Sequence, residues 1–302
     1  MALSSAAHWN QNEEDWRTML ALGRGWGLRL RDGAAGGGEP GREGTLVAST
    51  LVLPYGTAFA WVSMVLTLPA WRGRGHAQRL LRVALDELAR ERLLPVLDAT
   101  PAGRPVYLKE GFVDGWAFDR WRRKAGAFSL SRRAGEGRGE GGRAARSSPH
   151  PNPPPQAGEG ARPLGANDWL AVEVLDARAF GANRLPLLRR LAARLPQAAW
   201  LTERGYLLGR EGRTALQLGP LVAEDDEHAI TLLEAALAAL ADQAAQQDLI
   251  VDLRDGRDGV AQWLRERGFV PERPFTRMVR GAGARTPGDA ERVVLVAGPE
   301  LG

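Results

Sequence analysis

Pro69-Ala70-Trp71-Arg72-Gly73-Arg74-Gly75-His76-Ala77 joins a strand-like run to an amphipathic one. Ahead of it, Ala58 to Leu68 is rich in Val, Leu, Thr and aromatic residues and pairs with Thr45 to Leu53 across Pro54-Tyr55-Gly56 as a hairpin. Behind it, Ala77, Leu80, Leu81, Ala84, Leu85 and Leu88 fall at i, i+3, i+4, i+7, i+8 and i+11, with Arg79, Arg82, Asp86, Glu87 and Arg90 elsewhere on the wheel. That spacing predicts a helix with one apolar face. A glycine-bearing turn from strand to helix lets backbone N–H groups converge on an anion, and the helix dipole favours a pyrophosphate there. A dinucleotide loop would need a third Gly or Ala at Gln78, and a P-loop a Gly-Lys-Ser/Thr ending. Neither fits; the pattern is Arg-x-x-Gly-x-Ala.

Further along, Leu94 to Ala99 is a short apolar run stopped by Thr100-Pro101-Ala102-Gly103, and Pro105 to Glu110 forms a helix ending at Gly111. The order strand, strand, helix, strand, helix, strand predicts an α/β fold, a mixed sheet flanked by helices. The same grammar returns later. Helices start at Asp168 and Leu187, and strands lie near Ala198 to Thr202, Tyr206 to Arg210 and Thr214 to Val222. A helix spaced by Ile230, Leu233, Leu237 and Leu240 and a strand from Leu249 to Leu253 follow. Trp263-Leu264-Arg265-Glu266-Arg267-Gly268-Phe269-Val270 then echoes Val106-Tyr107-Leu108-Lys109-Glu110-Gly111-Phe112-Val113 when Gly268 is set on Gly111. The chain reads as a diverged tandem repeat with domains at 1–125 and 163–302. Between them, 126–162 is Gly-, Arg- and Pro-rich with few large apolar residues, the composition of a disordered linker.

With these residues in view, the chain resembles the GNAT superfamily of N-acetyltransferases, whose acetyl-CoA loop reads Gln/Arg-x-x-Gly-x-Gly/Ala after the fourth strand. Arg72, Gly75 and Ala77 match it, supported by the lead-in Val65-Leu66-Thr67-Leu68-Pro69 and by Tyr107 four residues before Gly111-Phe112. The resemblance covers about Trp9 to Trp121, and the second half is similar to the second domain of tandem GNAT proteins. It implies that Val65, Leu66 and Thr67 pair their backbone with the pantetheine arm of acetyl-CoA, in a splayed sheet. Loop amides from Gly73, Arg74, Gly75, His76 and Ala77 would hold the pyrophosphate with Arg72 beside it, and Tyr107 would protonate the leaving thiolate. The acceptor would be a primary amine of a small molecule or peptide. No general base declares itself: Glu13, Glu14, Asp15 and Asp98 are candidates, and His8-Trp9-Asn10 and Phe180 to Arg184 are candidate acceptor-pocket segments, with Arg184 otherwise a solvated helix-start charge. The family's usual first strand has no counterpart ahead of Glu13, which raises the question of an upstream start.

At the matching strand exit the second half has Glu224-Asp225-Asp226-Glu227, four acids where an anion would sit, and Leu264 takes the slot of Tyr107. This predicts a degenerate repeat without cofactor. A net charge of +4 invites a nucleic-acid reading, but nine Arg or Lys against two Glu lie between Arg120 and Arg146, so the rest of the chain is slightly acidic. No groove-reading motif accompanies them, and no nucleic-acid partner is expected. Nor is a membrane partner: no stretch approaches the ~20 apolar residues of a span, and the expected location is cytoplasmic. With 0 Cys and 4 scattered His, no metal is expected. A homodimer stays open. The competing functional class is a non-catalytic acyl-CoA-binding or regulatory module.

Overall fold

The hairpin, the loop and the amphipathic run fold where their patterns place them. The computed structural model describes residues 1–30, 44–126 and 160–302; most of the linker predicted at 126–162 lies outside the described residues. The first half runs α1 (Ala2–Ala6), α2 (Glu13–Leu22), β1 (Arg24–Leu30), β2 (Thr45–Tyr55), β3 (Phe59–Thr67), α3 (His76–Arg90), β4 (Leu94–Ala99), α4 (Arg104–Lys109) and β5 (Phe112–Arg123). The second half runs β6 (Arg162–Pro163), α5 (Trp169–Phe180), α6 (Leu185–Arg194), β7 (Trp200–Thr202), β8 (Gly205–Glu211) and β9 (Ala215–Ala223). It continues through α7 (Asp226–Ala239), α8 (Ala241–Gln246), β10 (Asp248–Arg254), α9 (Asp258–Glu266), β11 (Val270–Arg280) and β12 (Val293–Leu295).

Among the described residues, twelve strands form one mixed sheet in the order β1-β2-β3-β4-β11-β5-β10-β12-β9-β8-β7-β6. The repeats have exchanged their last long strands: β11 pairs antiparallel with β4 of the first half, and β5 pairs antiparallel with β10 of the second. The two exchanged strands pair with each other at the centre. The alignment that sets Gly268 on Gly111 also sets Phe275 on Phe118, and these two rings stack there at 5.0 Å and 9°. It sets Arg277 on Arg120 as well. Arg120 forks onto Asp252 at 2.7 Å to each oxygen, and Arg277 onto Asp98 at 2.9 and 3.0 Å. Both pairs are buried and both cross from one half of the chain to the other. Charges are tolerated there because each guanidinium meets its carboxylate bidentately.

This changes the reading of the basic segment. Arg120, Arg122, Arg123 and Lys124 belong to β5 or follow it directly, and Arg122 and Lys124 both pair with Asp248. Four of the nine cations between Arg120 and Arg146 therefore lie in the sheet or at its margin, ahead of the linker. Arg162, placed at the linker's end, is already in β6 and paired with Asp168.

The first core forms where α3 lays Leu81, Ala84, Leu85 and Leu88 on Val52, Ala60 and Val62 of the hairpin, with Met278 from β11 completing it. A second repeat's residue thus closes the first repeat's core. Three strands lie where the sequence pattern predicts none. β1 carries Gly25 and Gly27 and alternates half-buried with exposed positions on one edge of the sheet. β6 is two residues long, with Pro163 at the opposite edge, where a missing N–H is harmless. β12 has three residues.

Candidate active site

β3 and β4 run parallel and pair only through Phe59 with Leu94, Ala60 with Pro95 and Trp61 with Val96. Beyond Trp61 they part. A bulge sits just past that point: the register between β2 and β3 shifts opposite Thr50, and Met64 takes φ 50. Ser49 Oγ donates to Met64 O at 2.8 Å and pins the bulge from the neighbouring strand. Bulges bend a strand and re-aim its backbone groups, here at the mouth of the gap. The opening is a cavity walled on one side by Val62 to Val65 and on the other by Asp98, Thr100 and Tyr107.

Five residues past the end of β3 the strand-to-helix loop begins. Gly75 caps α3 in the left-handed region at φ 74, with no side-chain hydrogen bond to the helix and no acid in its first turn. Gly73 also has φ 74, and a Cβ on either glycine would meet nothing within 4 Å. Among the described residues no acceptor takes the first N–H groups of α3, those of His76, Ala77 and Gln78. Arg72 and Arg74 are exposed beside them, Arg74 over the Trp71 ring at 4.7 Å and Arg72 Nε donating to Thr67 O at 3.4 Å. Unsatisfied amides at a helix N-terminus with two exposed guanidinium groups beside them suit a pyrophosphate. His76 Nε2 is buried without a partner. Leu66 is buried, Thr67 is half-buried and Val65 lines the cavity, so one strand connects the loop to the gap.

Tyr107 comes up from α4 into the cavity, its ring edge-on to Phe112 at 5.9 Å. Burial raises its phenol above the usual value, so it stays neutral and able to donate. The candidate bases separate. Glu13 and Glu14 are on the surface with Arg17. Asp15 is buried away from the gap, closing the cap of α2 and paired with Arg194 and Arg210. Asp98 alone of the four reaches the cavity, where burial raises it against the pull of Arg277.

Of the acceptor-pocket candidates, Trp9 lines the cavity. Asn10 instead clasps the second half, accepting from Thr214 N at 2.9 Å and Ala215 N at 3.0 Å. Arg184 is neither in the pocket nor solvated: it is buried, with Nε 2.9 Å from Asp176, and donates to Gly302 O. The sequence reading missed Gln11, Ser63, Arg120, Arg273 and Glu300, which meet at the cavity from distant segments. Only the Phe118/Phe275 and Arg120/Arg277 echoes could have pointed to part of this set.

The second repeat has the corresponding gap, filled. β9 and β10 pair parallel from Ala215 with Asp248 to Leu218 with Val251. Where they would part, β12 enters, pairing Val293 with Val222 and Leu295 with Leu221 on one side and Leu295 with Leu253 on the other. The helix that follows is capped by the protein itself: Asp225 accepts from His228 N at 2.9 Å. Asp226 accepts from Gly259 N at 3.0 Å and pairs with Arg257. Leu264, in the slot of Tyr107, is fully buried in the second core.

Comparison with known proteins agrees with this fold. The model of the GNAT acetyltransferase family matches residues 17–112, and that of a GNAT acetyltransferase domain matches 172–294. Among solved structures, an acetyltransferase candidate from Pyrococcus horikoshii is similar at TM-score 0.60 and 19% identity, covering 85% of this chain and 76% of that one. A tandem GNAT protein from the clavulanic acid biosynthesis pathway is similar at TM-score 0.54 and 16% identity, covering 93% of each chain. A GCN5-related N-acetyltransferase from Sphaerobacter thermophilus gives TM-score 0.52 and 16% identity over 81% of this chain and 80% of that one. No curated protein matches. The chain has the GNAT acetyltransferase fold. It carries that fold as two GNAT domains in tandem, one per repeat.

Proposed function

We propose that the first repeat transfers an acetyl group from acetyl-CoA to a primary amine of a small molecule or peptide. The observation that carries this reading is continuity: the gap between β3 and β4, with the Tyr107 phenol in it, leads along Val65 to Thr67 to the uncapped N-terminus of α3. When bound, acetyl-CoA supplies a thioester whose acyl carbon an amine can attack. The amides of Gly73 to Ala77, with Arg72 and Arg74, hold the pyrophosphate, and the backbone of Val65, Leu66 and Thr67 pairs with the pantetheine arm.

The substrate amine must first lose a proton. Asp98 has both oxygens on Arg277, whereas Glu300 accepts from Arg210 through Oε1 alone, leaving Oε2 to take that proton through water. As the N–C bond forms and the C–S bond breaks, Tyr107 donates its proton to the departing sulfur and recovers one from the new amide nitrogen. One proton per turnover is released. The same reading divides the chain at 1–125, 126–162 and 163–302, with the cofactor site in the first part only.

Among the described residues no helix is long and apolar enough to cross a membrane, and no cluster of three or more His, Cys, Asp or Glu could hold a metal. The test is calorimetry of acetyl-CoA on the wild type and on Arg72→Glu with Gly75→Glu. Binding by the wild type that disappears in the variant supports the site. A folded wild type that does not bind sinks it, and one that binds but acetylates no amine would be an acyl-CoA-binding module instead.

A further inference from the structure

The charged groups around the cavity are matched in pairs, with one exception. Asp98 is neutralised by Arg277, Arg120 by Asp252 and Glu300 by Arg210. Arg273 also lines the cavity and is half-buried, yet among the described residues no carboxylate lies within ion-pair distance of it, and its Nε is buried with no hydrogen-bond partner. Its contact is the face of Phe275, 4.9 Å from the guanidinium carbon, a ring that Arg120 shares at 5.4 Å. Two more lining atoms are buried and unsatisfied: Ser63 Oγ on β3 and Gln11 Oε1 ahead of α2. Buried polar atoms are normally bonded, and a half-buried guanidinium with no ion-pair partner leaves part of its charge uncompensated. The cavity is thus short of an anion for Arg273, a hydrogen-bond donor for the Gln11 oxygen and a partner for the Ser63 hydroxyl.

Acetyl-CoA does not supply the anion, because its phosphates belong at Gly73 to Ala77, beyond the other end of Val65 to Thr67, and the thioester end is uncharged. Resting on the acetyltransferase reading above, we infer that the acceptor carries a carboxylate beside its amine, the carboxylate held by Arg273 and the amine N–H received by Gln11 Oε1. A planar guanidinium can meet a carboxylate bidentately, and the neighbouring Arg120, already committed to Asp252, adds positive potential without competing for the ligand. Amino acids and peptides with a free C-terminus near the amine are the class that fits.

The experiment compares acetyl transfer by the full chain to L-amino acids and to their primary carboxamides, at saturating acetyl-CoA. The acids are expected to exceed their amides by about tenfold or more in kcat/KM, the scale of a charge-assisted hydrogen bond. In Arg273→Gln the ratio should fall to about threefold or less through KM, with Arg273→Lys in between, and acetyl-CoA affinity by calorimetry should stay at the wild-type value. Amides used as well as acids, or a preference that survives Arg273→Gln, overturns the inference. If no amine turns over, the same pairs are titrated into the CoA-loaded chain. Acids that bind no tighter than amides overturn it again, and acids that bind tighter uphold it although the acetyltransferase reading has failed.

Discussion

In the first repeat β3 and β4 pair through three residues and then leave a gap that ends in a cavity, whereas in the second β9 and β10 pair through four and receive β12 between them. The helices that follow differ in the same sense. Gly75 leaves the start of α3 bare, while Asp225 satisfies the start of α7 from within the chain. A parted sheet exposes backbone groups that must bond something, and a helix N-terminus carries N–H groups that need an acceptor. The first repeat leaves both sets available to a ligand. In the second, β12 lies in the gap and Asp225 accepts from one helix N–H, and that half also supplies β11, the Arg277 partner of Asp98 and the tail that brings Glu300 to the cavity.

The largest expected effect separates the repeats by their chemistry. Tyr107→Phe keeps the ring against Phe112 but removes the proton donor, and kcat should fall about 10²- to 10⁴-fold with acetyl-CoA affinity retained. An unchanged kcat would exclude Tyr107 from the reaction. Because burial raises this phenol, the neutral donor persists through the working range, and kcat should show no falling limb below about pH 10. A pH profile that falls near 8 would assign the acid elsewhere.

The next effect tests whether the exchange makes the two halves one unit. Arg120→Ala leaves Asp252 buried without its counter-charge and should cost about 3–5 kcal/mol in chemical denaturation. Arg277→Ala, its symmetry mate, should cost a similar amount, and in both variants the halves should unfold in one transition. Two separate transitions would show that the exchanged strands do not couple them.

The smallest effect sharpens the contrast between the gaps. Asp225→Ala removes the cap of α7 and should cost about 1 kcal/mol. Acetyl-CoA should still titrate to one site per chain, since β12 continues to fill the second gap. A second site appearing in this variant would mean that the acids, and not the strand, keep the cofactor out.

How much of this could be read beforehand varies with the reach of the signal. The borders of β3, α3, β4 and α4 fall within one or two residues of their sequence reading, because periodicity and glycine are local instructions. β1 escaped because Gly25, Gly27 and two arginines on a half-exposed edge carry little apolar alternation. The ion pairs of Arg120, Arg122 and Lys124 carry no local sequence signal, because their partners, Asp252 and Asp248, are over a hundred positions away. Arg184 differs in that Asp176 lies eight positions away, but its other partner, the Gly302 carbonyl, is 118 positions off and burial in the core brings the three together.

By itself the sequence determined the strand-to-helix loop, the amphipathic helix after it and the tandem order of elements, since backbone freedom at glycine and the period of a helix act within a few residues. Only the tertiary structure decided that β5 and β11 change places, that β12 closes the second gap, and that Gln11, Ser63, Arg273 and Glu300 face one cavity. Strand pairing and charge neutralisation satisfy whichever groups burial brings together, and burial is a property of the whole chain.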